Sequence, residues 1–294
     1  MTEHLGFGAM LARLLEHREL GAQELADRAG LNPDEVCAVL AGDSPSHELL
    51  RRLGPALGFH AVDLFILAGL AVPDDMAPLD ATAAIWVKNT VTEAVRLPTA
   101  GRRELLQLVR SLPQEERCSS FAPKPLMPLA GGPGAWVIRM LQYRNLNWTG
   151  MAMALAFVTP TYLSAATYGV IGSGRMELTP RLVTDFAALL GIDARDLAAL
   201  TGVDLTELPP PPPSEAADAA ALLWEARRLS AAQAQQVFDS ARSMQGDSHA
   251  MHFTEPPGLT PADSSGRPDR LRCRANRTRP LERGTRSTET GHRW

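Results

Sequence analysis

Bond-making chemistry has little to work with in this chain. His4, His17, His47 and His60 are dispersed, and none stands beside a Ser or Cys nucleophile in a recognisable arrangement. Cys37, Cys118 and Cys273 lie far apart, with no CxxC or Cys/His ligand spacing. That spacing argues against a zinc site and structural disulfides, and for a reducing cytoplasm. Gly131-Gly132-Pro133-Gly134 stands before a helix as a phosphate-cradling loop would. No strand precedes it and no Lys-Ser/Thr follows, so it reads as a linker. No catalytic residue, cofactor or metal is expected. What remains is hydrogen-bonding chemistry, carried by amides, hydroxyls and guanidinium groups on and beside short helices. These are Gln23, Arg28, Asn32, Arg51 and Arg52 early in the chain, then Thr149, Thr159, Thr161, Tyr162, Ser164 and Arg175. Such groups hydrogen-bond phosphate oxygens and base edges.

The elements that must hold them are helical. Leu11, Leu14 and Leu15 repeat at helical spacing in a first helix over about 7–18. Ala22 to Ala29 predicts a short second helix with Leu25 and Ala26 facing inward, and Gly30 supplies the turn. Asn32-Pro33-Asp34-Glu35 then opens a third helix. Asn caps it, Pro takes the first helical position, and two acids face the positive end of the dipole. That helix should run to about Leu40, bury Val36 and Leu40, and stop at Gly42. Two more helices follow near 46–57 and 61–68, and then a helical hairpin over 81–96 and 101–112.

An imperfect internal repeat doubles this plan. Leu11-Ala-Arg-Leu-Leu-Glu-His-Arg18 returns 126 residues later as Val137-Ile-Arg-Met-Leu-Gln-Tyr-Arg144. Leu57-Gly58 returns as Leu190-Gly191, and Ala68-Gly69 as Thr201-Gly202, both at an offset of 133. The growing offset locates extra residues inside the second copy. The period is too long for a solenoid and indicates a duplicated domain. The expected organisation is a first domain over 1–117, a Pro/Gly-rich linker over 118–134, and a second domain over 135–246. A five-proline run, Pro209 to Pro213, lies inside the second domain. Its hairpin recurs as 215–229 and 231–244, with Trp86 and Trp224 at similar places. From 247 to 294 the chain is polar, Arg-rich and aperiodic, which predicts a disordered tail.

Gln23-Glu-Leu25-Ala26-Asp-Arg-Ala29-Gly30-Leu31-Asn32 resembles the lambda-repressor-like, XRE-type helix–turn–helix. The stretch from Asn147 to Leu163 is a looser match, with Ala156 where the turn glycine should stand. On that reading the second copy's recognition helix covers about 159–168, opened by Thr159-Pro160. Tyr162-Leu163-Ser164-Ala165-Ala166-Thr-Tyr-Gly169 also looks like the helical N-terminal domain of cyanases, whose catalytic domain has no counterpart here. The resemblance covers roughly the first 65 residues of each copy. It implies an all-α protein of two tandem five-helix domains, each extended by a helical hairpin. It also implies double-stranded DNA as the partner, with Gln23 on a phosphate and Asn32, Asp34 and Cys37 toward the major groove. Arg28, Arg51 and Arg52 would neutralise flanking phosphates. In the second copy Thr159, Thr161, Tyr162 and Ser164 would offer hydroxyls on the recognition helix, Thr149 would join the DNA contacts, and Arg175, in a flexible Gly172-Ser173-Gly174 loop, would reach a phosphate. Two alternatives stay open: the acids and Thr159-Pro160 as helix caps alone, and Tyr162 as a core aromatic.

Charge gives this expectation a competitor. Residues 1–117 carry 11 basic and 17 acidic side chains, and residues 118–252 carry 9 and 11. Residues 253–294 carry nine arginines against five acids. Folded DNA binders usually show a basic body, so an acidic one counts against strong non-specific affinity. The second reading is a non-enzymatic regulator that keeps the scaffold and works through protein contacts. Trp86, Val87, Val91, Val95, Leu222, Leu223 and Leu229 on the hairpins would then supply a homodimer interface or a partner groove. No apolar run is long enough to cross a bilayer, so a cytoplasmic location and no membrane partner are expected.

Overall fold

Helix α1 (Phe7–His17) turns Met10, Leu11, Leu14 and Leu15 inward, as its apolar spacing requires. The chain leaves it through Glu19, one of two described non-glycine residues with positive φ, and enters α2 (Ala22–Ala29). Gly30, at φ 64°, closes α2 and turns the chain into α3 (Pro33–Leu40). Asn32 caps α3 by accepting the Asp34 N–H at 3.0 Å. Val36 and Val39 are buried, with Leu40 only partly so. Helices α4 (His47–Leu57) and α5 (Ala61–Leu67) complete a five-helix unit. The structure, a computed structural model, describes residues 6–126, 132–205 and 213–251, the last six as backbone only. The described residues hold fourteen α-helices and no strand, so the fold is all-α.

The second unit repeats the first closely. It comprises α8 (Pro133–Gln142), α9 (Trp148–Val158), α10 (Ala165–Gly172), α11 (Pro180–Leu190) and α12 (Ala194–Thr201). Asn145, the other positive-φ residue, stands at the equivalent of Glu19. Gly8 and Gly134 are equivalent and serve the same contact. A Cβ on Gly8 would lie 2.1 Å from the Val39 carbonyl oxygen, and one on Gly134 2.4 Å from that of Ile171. In each unit the first helix therefore rests directly on the backbone of the third. The extra residues fall in three places. Helix α9 has 11 residues where α2 has 8, and the connection to α10 has six where its counterpart has three. The last extra residue lies in the loop between α10 and α11.

This corrects the helix expected over about 159–168, since the third helix of the second unit begins at Ala165 and not at Thr159. Thr159 ends α9 instead, its hydroxyl donating to the Leu155 carbonyl at 2.9 Å. Ser164 occupies the N-cap position of α10. Ala156, read as the turn, lies inside α9, because an Ala/Met/Leu run without a glycine gives the helix no reason to stop. The supposed flexible loop is also firmer than expected, since Gly172 and Ser173 are buried and Gly172 still belongs to α10.

The two units and their hairpins share one core, and residues 6–251 form a single compact body. Helix α1 packs on α12 and α5 packs on α8, which is the reciprocal contact of a two-fold interface. The hairpins, α6 (Ala84–Arg96) with α7 (Thr99–Ser111) and α13 (Ser214–Ala226) with α14 (Ala231–Met251), interlock in the same sense. Helix α6 packs chiefly on α14, and α13 on α7. Val87, Val91, Leu222, Leu223 and Leu229 are buried there, so most of the apolar face expected to meet a partner is occupied within the chain. Buried Arg102 ties the hairpins, its Nε donating to Asp218 at 2.6 Å and its Nη1 to the Leu97 carbonyl. The start of the linker is docked too. Leu126 is buried against Gly172, and Phe121 meets Tyr143 with ring centroids 5.3 Å apart. The proline run up to residue 212 and the Arg-rich tail from 252 lie outside the described residues. No described helix is long and apolar enough to cross a membrane.

Candidate nucleic-acid interface

Two ion pairs join the units and reveal their symmetry. Arg18, just after α1, donates Nε to Asp196 of α12 at 2.9 Å. Arg144, just after α8, donates Nη1 to Asp63 of α5 at 2.6 Å and Nη2 to its other oxygen at 2.9 Å. Arg144 is the repeat equivalent of Arg18, at offset 126, and Asp196 that of Asp63, at offset 133. The two pairs are one contact made twice. Arg144 and Asp63 are wholly buried, and Arg144 also donates to the carbonyls of Met140 and Leu190. Trp224 adds an aromatic lid, stacked on His60 at 3.5 Å between centroids, with Arg227 over its ring at 3.4 Å. Burial first, and then the nearby Arg144 and Arg227, push the His60 pKa down to about 4.

The reciprocal contacts relate α2–α3 to α9–α10, the elements on or beside which most of the candidate recognition groups lie. In the first unit these groups are already engaged. The Gln23 amide donates to Asp27 at 3.1 Å, and Arg28 pairs with Glu24. Arg52 donates to Glu48 at 2.7 Å and to the Gly30 carbonyl at 2.9 Å, pinning the turn to α4. Arg51 forms a two-pronged pair with Asp75 at 2.9 Å and holds that carboxyl below its usual range. Asn32 is spent on its cap, while Asp34, Glu35 and Cys37 are exposed. Around them Asp27, Asp43 and Glu48 are also exposed, so this face is acidic.

The second unit offers a different surface. From Asn145 to Gly174 there is no charged side chain at all. Thr149, Tyr162 and Ser164 are exposed, Tyr162 most of all at 77%, which settles it as a surface residue and not a core aromatic. Thr161 is buried and takes no outward role: its hydroxyl accepts from Arg181 Nε at 2.9 Å. Arg175 is exposed, and its Nε donates to Ser173 Oγ at 3.0 Å. Three further cations border α9–α10 and were not singled out by the sequence. Arg181 of α11 is exposed. Arg96 of α6 lies over the exposed Phe157 ring, 5.3 Å from its centroid. Lys88 stands beside Gly150, its pKa lowered by burial. The sequence held a signal for Arg181 alone. Arg181 and Asp185 fall, at offset 133, on Glu48 and Arg52, an i,i+4 pair with its charges exchanged. In both units the arginine of that pair clamps the turn: Arg52 on Gly30, Arg181 on Pro160 and Thr161.

Hydroxyls and a modest cationic border can hydrogen-bond phosphates and base edges, but this surface has no Asn, Gln or Arg on α10 for bidentate base reading. Among the described residues no three His, Cys, Asp or Glu side chains converge as metal ligands would. Comparison with models of known families, with curated sequences and with solved structures finds no match to this chain.

Proposed function

We propose that this chain is a sequence-specific double-stranded-DNA-binding regulator of bacterial transcription, acting in the cytoplasm. It would work as an intramolecular pseudo-dimer of two lambda-repressor-like helix–turn–helix units. The observation that supports this most is the reciprocal Arg18–Asp196 and Arg144–Asp63 contact. A two-fold pairing of helix–turn–helix units is the arrangement with which dimers meet two half-sites on one duplex. Contact with base edges falls to the second unit, through Tyr162 and Ser164, with Thr149, Arg175 and Arg181 on phosphate. The first unit, acidic and with its guanidinium groups internally paired, contributes less.

That acidic face favours a second reading. Exposed Asp34, Glu35 and Asp43 at the first unit suit a basic partner protein better than a phosphate backbone. One series of titrations separates the two. If DNA is the partner, Arg175→Ala weakens binding about equally across sequences and lowers the salt slope by about 1. Tyr162→Ala changes which sequences are preferred. A chain that works through protein contacts gives neither effect.

A further inference from the structure

A cavity of about 1030 Å³ opens in the second unit between the end of α9, helices α11 and α12, and the start of α13. Its walls are largely apolar, with Phe157, Val158, Pro160, Ile192 and Pro213 among them. Phe157, Val158 and Pro160 belong to the stretch that the second copy has and the first lacks, so this part of the wall has no counterpart in the first unit. Asp185 of α11 also lines it. Its side chain is about nine-tenths buried and, among the described residues, accepts no hydrogen bond, and one of its oxygens is shut off from solvent. The nearest cation, Arg181 Nε, is 3.9 Å away, beyond hydrogen-bond reach, and donates to Thr161 instead. At the equivalent position of the first unit stands Arg52, exposed and donating to Glu48 and to the Gly30 carbonyl.

A carboxylate set in an apolar wall without a donor is an unfavourable state that a ligand bringing N–H groups relieves. Asp193 at the cavity edge is not in the same condition, since it accepts the Arg195 N–H at 2.8 Å. The volume is at the upper end of the range that holds drug-sized molecules. From this geometry we infer that the cavity is a binding site for a small organic cation. An ammonium or amidinium head donates to Asp185, and an apolar body lies against Phe157, Val158 and Ile192. Arg181 is two-thirds exposed, so solvent and salt screen its repulsion of the incoming charge. The site stands on Asp185 and its walls whether or not the chain binds DNA.

The test uses the full chain with benzamidine as the probe, and benzamide and benzoate as neutral and anionic molecules of the same shape. Calorimetric titration should show saturable one-to-one binding of benzamidine, with benzamide and benzoate weaker by about tenfold or more. Benzamidine should also raise the thermal midpoint. Asp185→Asn should abolish the preference for benzamidine while leaving the ligand-free midpoint unchanged or higher. Phe157→Ala should weaken benzamidine without removing the preference for a cation. No binding of benzamidine to the wild-type chain, or equal binding by Asp185→Asn, overturns the assignment.

Discussion

At the residue scale the two equivalent ion pairs differ in their surroundings, and the difference sets what each is worth. Removing a partner from a wholly buried pair leaves a charge with no water and no counter-ion. Asp63→Asn should therefore destabilise the protein by about 3–5 kcal/mol. Asp196→Asn should cost about 1 kcal/mol, because the Arg18 side chain is still 25% exposed and water answers it. Urea denaturation of both variants checks this, and equal costs would show that burial does not control the pair. His60 adds a pH dependence. Its folded pKa of about 4 lies below its ordinary 6.5, so below pH 6.5 the unfolded chain binds a proton that the folded chain refuses. Stability is thus lost as pH falls from about 6.5 to 4, by up to about 3 kcal/mol. His60→Phe, compared with wild type across that window, should lack this part of the slope. These positions were hidden in the sequence. Asp63, Arg144 and His60 look like ordinary helix residues until the fold brings 63 and 144 together.

At the element scale, glycines decide where helices can touch. Gly134→Ala sets a methyl against the Ile171 carbonyl and Gly8→Ala sets one against that of Val39. Each should cost about 1–3 kcal/mol and shift α10 or α3 away from the helix beneath it. Gly101→Ala in α7 meets only Leu97 at ordinary contact distance and should stabilise by up to about 1 kcal/mol. Thermal midpoints of the three variants test the contrast. Much of this layer was legible in the residues. Caps at Asn32 and Ser46, glycine stops at Gly58 and Gly191, and leucine spacing in α1 all lie where local chemistry places them. The second turn was misread because Thr159-Pro160 imitates a helix start. What carries α9 onward to Val158 is the absence of any stop signal, together with the packing of α9 against α6. The surface hydroxyls at Tyr162 and Ser164 could be picked out from sequence, whereas Arg96, Lys88 and the Asp185 cavity depend on contacts between distant segments.

At the scale of the whole molecule the repeat was legible but its consequence was not. Similarity between two copies says nothing about whether they stand apart or pair, and here α6 crosses to α14 and α13 to α7. Because the halves share one core, heat should unfold residues 6–251 in a single cooperative transition, not two. Two resolved calorimetric peaks would mean that the halves are separate folding units. The same pairing carries the functional reading, since it relates α2–α3 to α9–α10 by reciprocal contacts. The most direct test is selection by the full chain from pooled genomic DNA fragments, with competitor DNA present and retention followed as salt is raised. The proposal predicts that a few related sequences are retained, that they weaken as salt increases, and that Arg175→Ala retains them less well. Failure to retain any fragment selectively, even at low salt, would contradict it and turn attention to the acidic face around Asp34 and Glu35.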